Sequence, residues 1–150
     1  MAGKSLYRAL LWSASLLGVL CFIFANSLTP KSASAEESRS FFELFLSFLP
    51  GITHHLVRKL AHVAEYALLG AHLAFLPILF SASVGIKRML VLIFGICIAC
   101  IDEGIQRLIP GRGAAVGDVL LDTLGYFLGL LLMFGILFLI SRKRKGDRHA

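Results

Sequence analysis

The stretch VGDVLLDTLGYFLGLLLMFGILFLI, residues 116–140, decides the fold class of this chain. Its only charged residues, Asp118 and Asp122, lie near its beginning. Because a helix needs roughly 20 mostly apolar residues to cross a bilayer, the stretch predicts a membrane-spanning helix. The composition of the whole chain is also typical of a membrane protein, since 57% of the 150 residues are hydrophobic and only 16% are charged.

Three further apolar stretches predict the remaining spans of an all-α, polytopic membrane protein with four transmembrane helices. They cover residues 7–25, 60–80 and 89–109. The segments SASVGIKR (81–88) and PGRG (110–113) are typical of turns between the later spans. A cleavable signal peptide ending near residues 33–35 is the alternative for the first stretch, but the apolar run ends about ten residues before that small-residue pattern.

We expect a single domain over residues 1–150, with a basic tail at 142–150 and one long connection at 26–57. The second half of that connection, FFELFLSFLPG (41–51), is too short to span and predicts an interfacial or re-entrant segment in the first outer loop. Its four phenylalanines would lie at the headgroup level, and a packing lid over the helices is the alternative. They are Phe41, Phe42, Phe45 and Phe48.

The distribution of Lys and Arg predicts the orientation. With a cytoplasmic N-terminus, nine of these residues face inward and six face outward, which the positive-inside rule favours. We therefore expect a multi-pass protein of the inner or plasma membrane with both termini in the cytoplasm. The basic run at 142–145 follows a span without interleaved aromatic residues, so it predicts contact with anionic headgroups and no nucleic-acid partner.

The three cysteines, Cys21, Cys97 and Cys100, lie inside apolar stretches. The pair Cys97 and Cys100 forms a C-x-x-C, but no second pair exists to complete a zinc site. We expect the cysteines to be buried small apolar residues, and we predict no cofactor.

Charged residues of three predicted spans lie at one depth. At about 1.5 Å per residue, Glu65 and Asp102 lie about 9 Å below the outer boundary of the bilayer, and Asp122 lies at that boundary. An ionisable group inside a span costs about 3 kcal/mol or more to insert and usually marks function. The depths therefore predict a site in the outer third of the membrane.

The charges in this outer region are nearly balanced, as a desolvated network requires. The cations are Arg58, Lys59, Arg107 and Arg112, the carboxylates are Glu65, Asp102, Glu103, Asp118 and Asp122, and His62 can take either state. A network that only fixes helix register is the alternative, but packing needs one or two pairs rather than nine charges. Arg112, in a Gly-rich turn before a helix, would suit a phosphate or carboxylate.

The last span carries Asp118, Asp122, Gly125 and Gly129 on one face. Gly125 and Gly129 form a G-x-x-x-G, which lets another helix approach closely. The partner helix is either in the same chain or in a second copy, so a homo-oligomer through Gly125 and Gly129 is possible.

Three blocks in this region resemble the VanZ-like family. They are RKLAHVAEYALLG (58–70), DEGIQRLIPGR (102–112) and GDVLLDTLG (117–125). One block alone would be weak evidence, but the three blocks in this order are specific for the family. The resemblance covers about residues 58–129. Asn26 and Ser27 weakly echo the polar start of the family's outer loop. The family's motif residues correspond to Arg58, His62, Glu65, Tyr66, Asp102, Glu103, Gln106, Arg112, Asp118 and Asp122.

The family consists of small polytopic bacterial membrane proteins, and its namesake is associated with low-level resistance to the glycopeptide teicoplanin. The resemblance thus implies a cell-envelope role, with a possible link to such resistance. We expect the charged site to bind an anionic lipid or a lipid-linked envelope precursor at the extracytoplasmic face. Arg58, Arg107 and Arg112 would hold its phosphate.

Three other functions are alternatives. A membrane enzyme acting on such a lipid would use His62 or Glu65 as general acid or base, with Asp102 and Glu103 as further catalytic candidates. No metal is predicted, although a metal-dependent version would add Asp122 to these four as ligands. A proton-coupled carrier is least favoured, since the inner two-thirds of the spans offers essentially only His72. In a scaffold, the charges would be purely stabilising.

Overall fold

A computed structural model describes residues 2–30, 43, 53–76, 84–112 and 115–146, and these ranges contain helices and no strand. The helices are α1 (Ala2–Leu28), α2 (His54–Leu73), α3 (Val84–Leu108) and α4 (Val116–Gly146). The predicted all-α class is therefore confirmed. The predicted interfacial segment at 41–51 lies outside the described residues, apart from Glu43.

Three of these helices are long and apolar enough to cross a membrane. The qualifying segments are Leu6–Leu28, Met89–Leu108 and Val116–Arg144. Helix α2 is not among them, because its 20 residues include Arg58, Lys59 and Glu65. Large apolar side chains cover the outer surfaces of the other helices, as expected for contact with lipid tails. The chain is thus a helical membrane protein.

The first three helices begin before the apolar stretches that predicted them, whereas α2 ends at Leu73 rather than near residue 80. Helix α2 begins at His54 rather than near residue 60, because the Thr53 side chain caps it by accepting a hydrogen bond from the Leu56 amide (3.3 Å). Helix α3 begins at Val84, so the predicted turn at 81–88 is wrong from residue 84 onward. Backbone hydrogen bonding continues a helix past its last apolar residue, and hydropathy alone does not record this continuation.

Helices α2 and α4 make the closest contact of the fold, and glycines lie along it. Gly125 and Gly129 of α4 pack against the backbone of Val63 and Ala67, and Gly70 of α2 packs against the backbone of Tyr126. A side chain at any of the three glycines would clash with the opposite helix. The predicted close approach therefore forms within the chain, and self-association through these glycines stays a prediction.

Tyr126 connects this helix pair to α3. Its side chain is fully buried, its ring lies against Gly95, and its hydroxyl donates a hydrogen bond to the carbonyl of Val91. Gly95 and Val91 are one helical turn apart, so one side chain sets both the distance and the register of α3. The surrounding core includes Ile23 of α1 and Leu69 of α2.

The three cysteines are free and exposed on the helix surfaces, so the prediction that they are buried is wrong. Apolar sequence did not distinguish a core position from a lipid-facing one, because lipid tails and a protein core are similarly apolar.

Candidate functional site

The polar residues of four helices meet at one end of the bundle. This end is formed by the last turn of α1, the first three turns of α2, the last two turns of α3 and the first two turns of α4. Tyr66, Asp102, Glu103, Gln106 and Asp122 are buried there. Arg58, His62, Glu65, Arg112 and Asp118 are half-buried. The ten residues at motif positions therefore occupy one end of the fold.

Two residues of α1, Asn26 and Ser27, complete the polar cluster. The Asn26 side-chain amide donates to Oε1 of Glu65 (2.7 Å). Ser27 is fully buried, its Oγ accepts from Nε2 of Gln106 (3.4 Å), and its carbonyl accepts from Nη1 of Arg112 (3.0 Å). Neither residue was among the predicted site residues. Their only signal in the sequence was a weak similarity to the polar start of the family's outer loop.

The turn between α3 and α4 holds Arg112 over the cluster. Its amide donates to the Ile109 carbonyl (3.1 Å), and Gly111 between them has a φ of 80°, a conformation that glycine adopts without steric cost. This confirms the predicted turn for its described part. Burial, followed by the nearby positive charge of Arg58, lowers the pKa of Arg112, while Asp102 and other carboxylates oppose this. Arg112 remains a cation, because its ordinary pKa is so high.

Carboxylates of α3 serve two different purposes. Oε1 of Glu103 accepts a hydrogen bond from the Ala115 amide (2.6 Å), which ties the start of α4 to α3. Oδ2 of Asp102 accepts from Nε2 of Gln106 (3.1 Å) one turn later on the same helix. Glu103 therefore orients a backbone segment, whereas Asp102 lies at the centre of the cluster.

The predicted network of paired charges is only partly present. Lys59 and Asp118 form an ion pair (2.9 Å), which is the one contact of its kind in the part of the chain that the structure describes. Arg107 is exposed and does not line the pocket described next, and its expected role in holding phosphate stays a prediction. The buried carboxylates at 102, 103 and 122 thus have no ion-pair contact with a described Lys or Arg.

A small open pocket lies between α2 and α4 at this end. Its empty volume is about 280 Å³ including the open mouth. Basic residues of α2 and acidic residues of α4 face each other across it, and Gln106 of α3 also lines it. The lining consists of Arg58, Lys59, His62, Gln106, Asp118, Leu121 and Asp122. A ligand in this pocket would meet cations and carboxylates together.

Several buried polar atoms of the cluster have no hydrogen-bond partner among the described residues. They are Nδ1 of His62, Oε2 of Glu65, the Tyr66 hydroxyl, Oδ1 of Asp102, Oε2 of Glu103 and Nε of Arg112. Native proteins leave few such atoms, since each costs about 1–3 kcal/mol of desolvation. Their concentration at one end makes this end of the bundle the candidate functional site.

His62, Asp102 and Asp122 come from three helices, and one potential ligand atom of each lies within 4.8 Å of the others. An imidazole beside two carboxylates is suited to proton transfer and to metal coordination. The sequence predicted that Asp102 and Asp122 both lie in the outer third of the membrane, and the fold brings them into one cluster with His62.

No curated protein matches this chain, and neither does any solved structure. The VanZ/LLP1 family matches residues 12–140. That range holds every residue of the polar cluster, from Asn26 of α1 to Asp122 of α4. With most of its length and its whole polar cluster inside the match, the chain belongs to the VanZ/LLP1 family.

Proposed function

We propose that this protein binds the phosphate of an anionic lipid, or of a lipid-linked cell-envelope precursor, at the extracytoplasmic end of a four-span bundle. The observation that carries the proposal is the pocket between α2 and α4, which Arg58 and Lys59 line. Arg112, whose Nε has no partner in the described structure, lies close enough to Arg58 for their charges to interact. Guanidinium groups match phosphate oxygens in geometry and charge, so these residues suit a phosphate headgroup.

The shape of the fold supports a lipid rather than a soluble anion. The pocket opens beside helices whose outer faces are apolar, including Leu120 and Leu124 of α4, which are 66% and 53% exposed. A lipid could therefore place its headgroup in the pocket and its tails along α4, in the layer where tails already lie. A soluble anion would use only the charged part of this surface.

The four-span arrangement is part of the proposal. Helix α2 is about 30 Å long at 1.5 Å per residue, which is the thickness of the hydrocarbon core. Two of its three charges, Arg58 and Lys59, are within its first six residues, and Glu65 is bound to Asn26 of α1. Together with the excess of Lys and Arg near the other end, this supports both termini in the cytoplasm.

The test is lipid retention by the full chain, purified in mild detergent and followed by native mass spectrometry. The variant is Arg58→Gln, because Arg112 also donates to Ser27 and its removal would disturb the fold. Arg107→Gln is the matched control, since Arg107 is an exposed arginine near the same end. Phosphatidylglycerol and a polyprenyl phosphate, added separately, distinguish the two sources of phosphate.

We expect Arg58→Gln to lower the retained fraction of one of these lipids about tenfold, equivalent to about 1.4 kcal/mol. Arg107→Gln should retain it as the wild type does. Equal loss in both variants would indicate nonspecific charge attraction and contradict the proposal. Unchanged retention in Arg58→Gln would contradict it as well.

Membership of the VanZ/LLP1 family extends the proposal to a phenotype. We propose that binding a lipid-linked envelope precursor raises tolerance to teicoplanin. Expression in a teicoplanin-sensitive bacterium should increase the minimal inhibitory concentration, and Arg58→Gln should remove the increase while Arg107→Gln keeps it. An increase that is the same in all three strains would separate the phenotype from the pocket.

A second candidate function is acid–base chemistry on the bound lipid. It is favoured by His62, which lies within 4.8 Å of Asp102 and Asp122 and has an unpartnered Nδ1 within the described structure. An enzyme would lose turnover but keep lipid in His62→Gln, whereas a binding protein has no turnover to lose. Incubation with polyprenyl phosphate and its diphosphate, followed by mass analysis, makes this distinction.

A further inference from the structure

We propose that His62, Asp102 and Asp122 form a binding site for one divalent transition-metal ion, such as Mn²⁺ or Zn²⁺. The sequence predicted no metal, and the inference rests on the fold. It concerns His62 and Asp122 of the same pocket together with Asp102, and it does not depend on Arg58, which carries the lipid proposal.

The geometry of the three side chains is close to that of a coordination sphere. A ring nitrogen of His62 and one oxygen from each aspartate lie within 4.8 Å of one another. Ligand atoms bonded to one ion at about 2.1 Å are roughly 3–4.2 Å apart. Small side-chain adjustments would bring all three into contact with an ion, and no helix would need to move.

Burial and hydrogen bonding give an independent indication of a ligand. Asp102 is fully buried and Asp122 is 2% exposed. Oδ1 of Asp102 and Nδ1 of His62 have no partner within hydrogen-bond distance in the described ranges, although the Tyr66 hydroxyl lies near Asp102 and Gln106 holds its Oδ2. The second oxygen of Asp102 is thus oriented but unsatisfied, as is typical of a metal ligand fixed by a neighbouring group.

The charge balance points in the same direction. Lys59 is paired with Asp118, and Arg112 donates to the Ser27 carbonyl, so neither forms an ion pair with Asp102 or Asp122. Two buried aspartates without an ion-pair contact to a described cation are costly in a desolvated region. A divalent ion would offset both charges at once.

The donor set indicates the kind of ion. Imidazole suits Fe²⁺ and Zn²⁺, and the two carboxylates suit Mn²⁺, whereas Mg²⁺ and Ca²⁺ prefer oxygen ligands alone. The unpartnered Oε2 of Glu65 is a nearby further donor, since Asn26 binds only Oε1. Three protein ligands leave coordination positions for water or for a phosphate oxygen.

Mn²⁺ is the probe, because the exposed thiols of Cys97 and Cys100 would also attract Zn²⁺. The full chain is purified in detergent without added lipid, treated with chelator and titrated with MnCl₂ under electron paramagnetic resonance. We expect one bound Mn²⁺ per chain. Pulsed measurements should show modulation from a single imidazole ¹⁴N.

His62→Gln should abolish the ¹⁴N modulation and weaken binding at least tenfold, and Asp122→Asn should weaken binding similarly. His72→Gln is the matched control, because His72 is on the same helix but contacts Trp12 and Ser15 at the opposite end. It should bind Mn²⁺ with the wild-type affinity and modulation. Elution volume and thermal transition confirm that each variant is folded.

Absence of stoichiometric binding by the wild type would overturn the proposal, and so would bound Mn²⁺ without ¹⁴N modulation. The first of these outcomes would indicate that protons neutralise the aspartates. Arg58→Gln should keep the Mn²⁺ site intact while losing lipid. Failure of the metal site and failure of the lipid site are therefore separate results.

Discussion

The two ends of the bundle contain polar residues in different states. At one end, His72 of α2 stacks on Trp12 of α1, with ring centroids 5.2 Å apart and an interplanar angle of 18°. Its Nε2 lies within hydrogen-bond distance of both the Trp12 carbonyl (3.2 Å) and Ser15 Oγ (3.3 Å), and its own carbonyl accepts from the Trp12 indole (3.2 Å). This cluster is satisfied by the fold itself.

At the other end, the cluster around Asp102 contains more polar groups and satisfies fewer of them. Asp102, His62 and Glu65 each have one buried atom without a hydrogen-bond partner in the described structure. Polar groups that only fix helix register would be expected to resemble the His72 cluster, since unsatisfied buried atoms reduce stability. The difference teaches that the fold itself satisfies the polar groups of the His72 cluster, whereas the Asp102 cluster keeps buried atoms without a partner, which is the basis of the two binding proposals.

The largest expected loss of stability comes from a substitution that separates α2 from α4 and so disrupts both polar clusters. Gly129→Leu places a side chain against the backbone of Ala67 and should lower the free energy of unfolding by about 3 kcal/mol or more, because α2 and α4 must separate. Gly135→Leu is the matched control, since that glycine of α4 faces open space. Unfolding by sodium dodecyl sulfate in mixed micelles measures both variants. Equal stability of the two would mean that the glycine contact is unimportant.

The next effect concerns the satisfied end. His72→Ala removes a stacked ring and its hydrogen bonds, so unfolding free energy should fall by about 2 kcal/mol. His62→Gln, measured without metal or lipid, should cost clearly less, because its Nδ1 has no described partner. The same micellar titration compares them. A larger loss for His62→Gln would reverse the assignment of the two ends.

A smaller effect is expected from the ion pair of Lys59 and Asp118, whose side chains are 34% and 29% exposed. Solvent screens such a pair, so its coupling energy should be below about 1 kcal/mol and should decrease with added salt. A double-mutant cycle of Lys59→Ala and Asp118→Ala provides the value. Coupling well above this, insensitive to salt, would show that the pair stabilises the fold as the His72 cluster does.

The smallest expected change in stability, that of Glu65→Gln, distinguishes the two polar clusters most clearly. Glu65→Gln keeps an oxygen acceptor for Asn26 but removes a negative charge, so the chelated, lipid-free protein should change in stability by less than about 0.5 kcal/mol or become more stable. Thermal unfolding of the wild type and variant decides it. A loss comparable with that of His72→Ala would place Glu65 among the residues that maintain the fold.

Much of the candidate site could be predicted by counting along the chain. Glu65, Asp102 and Asp122 interrupt apolar stretches, and the rise of a helix converts their positions into depths that nearly agree. The depths identified the end of the bundle where these residues meet. The depth of a residue does not show which face of its helix points into the bundle. Arg107 was therefore expected in the site, although its side chain is exposed.

Asn26 and Ser27 could not be selected in the same way. Both are uncharged and lie where α1 was expected to have ended, and Ser27 participates through a backbone carbonyl as well as its hydroxyl. Every residue carries a backbone carbonyl, so that contact leaves no mark in the sequence. The exposed cysteines were missed for a related reason, because apolar positions facing lipid and core are alike in composition.

The sequence by itself determined that the chain is helical and belongs in a membrane, since its long apolar stretches can span a bilayer as helices, which satisfy their backbone hydrogen bonds internally. It also determined the depth of the charged residues, because depth follows from the rise per residue. Only the tertiary structure decided which groups are satisfied. Gly125 and Gly129 let α2 and α4 approach closely, so that His62 lies near Asp122, and the packing of α3 adds Asp102. Nδ1 of His62 and Oδ1 of Asp102 are left without a partner in the described structure.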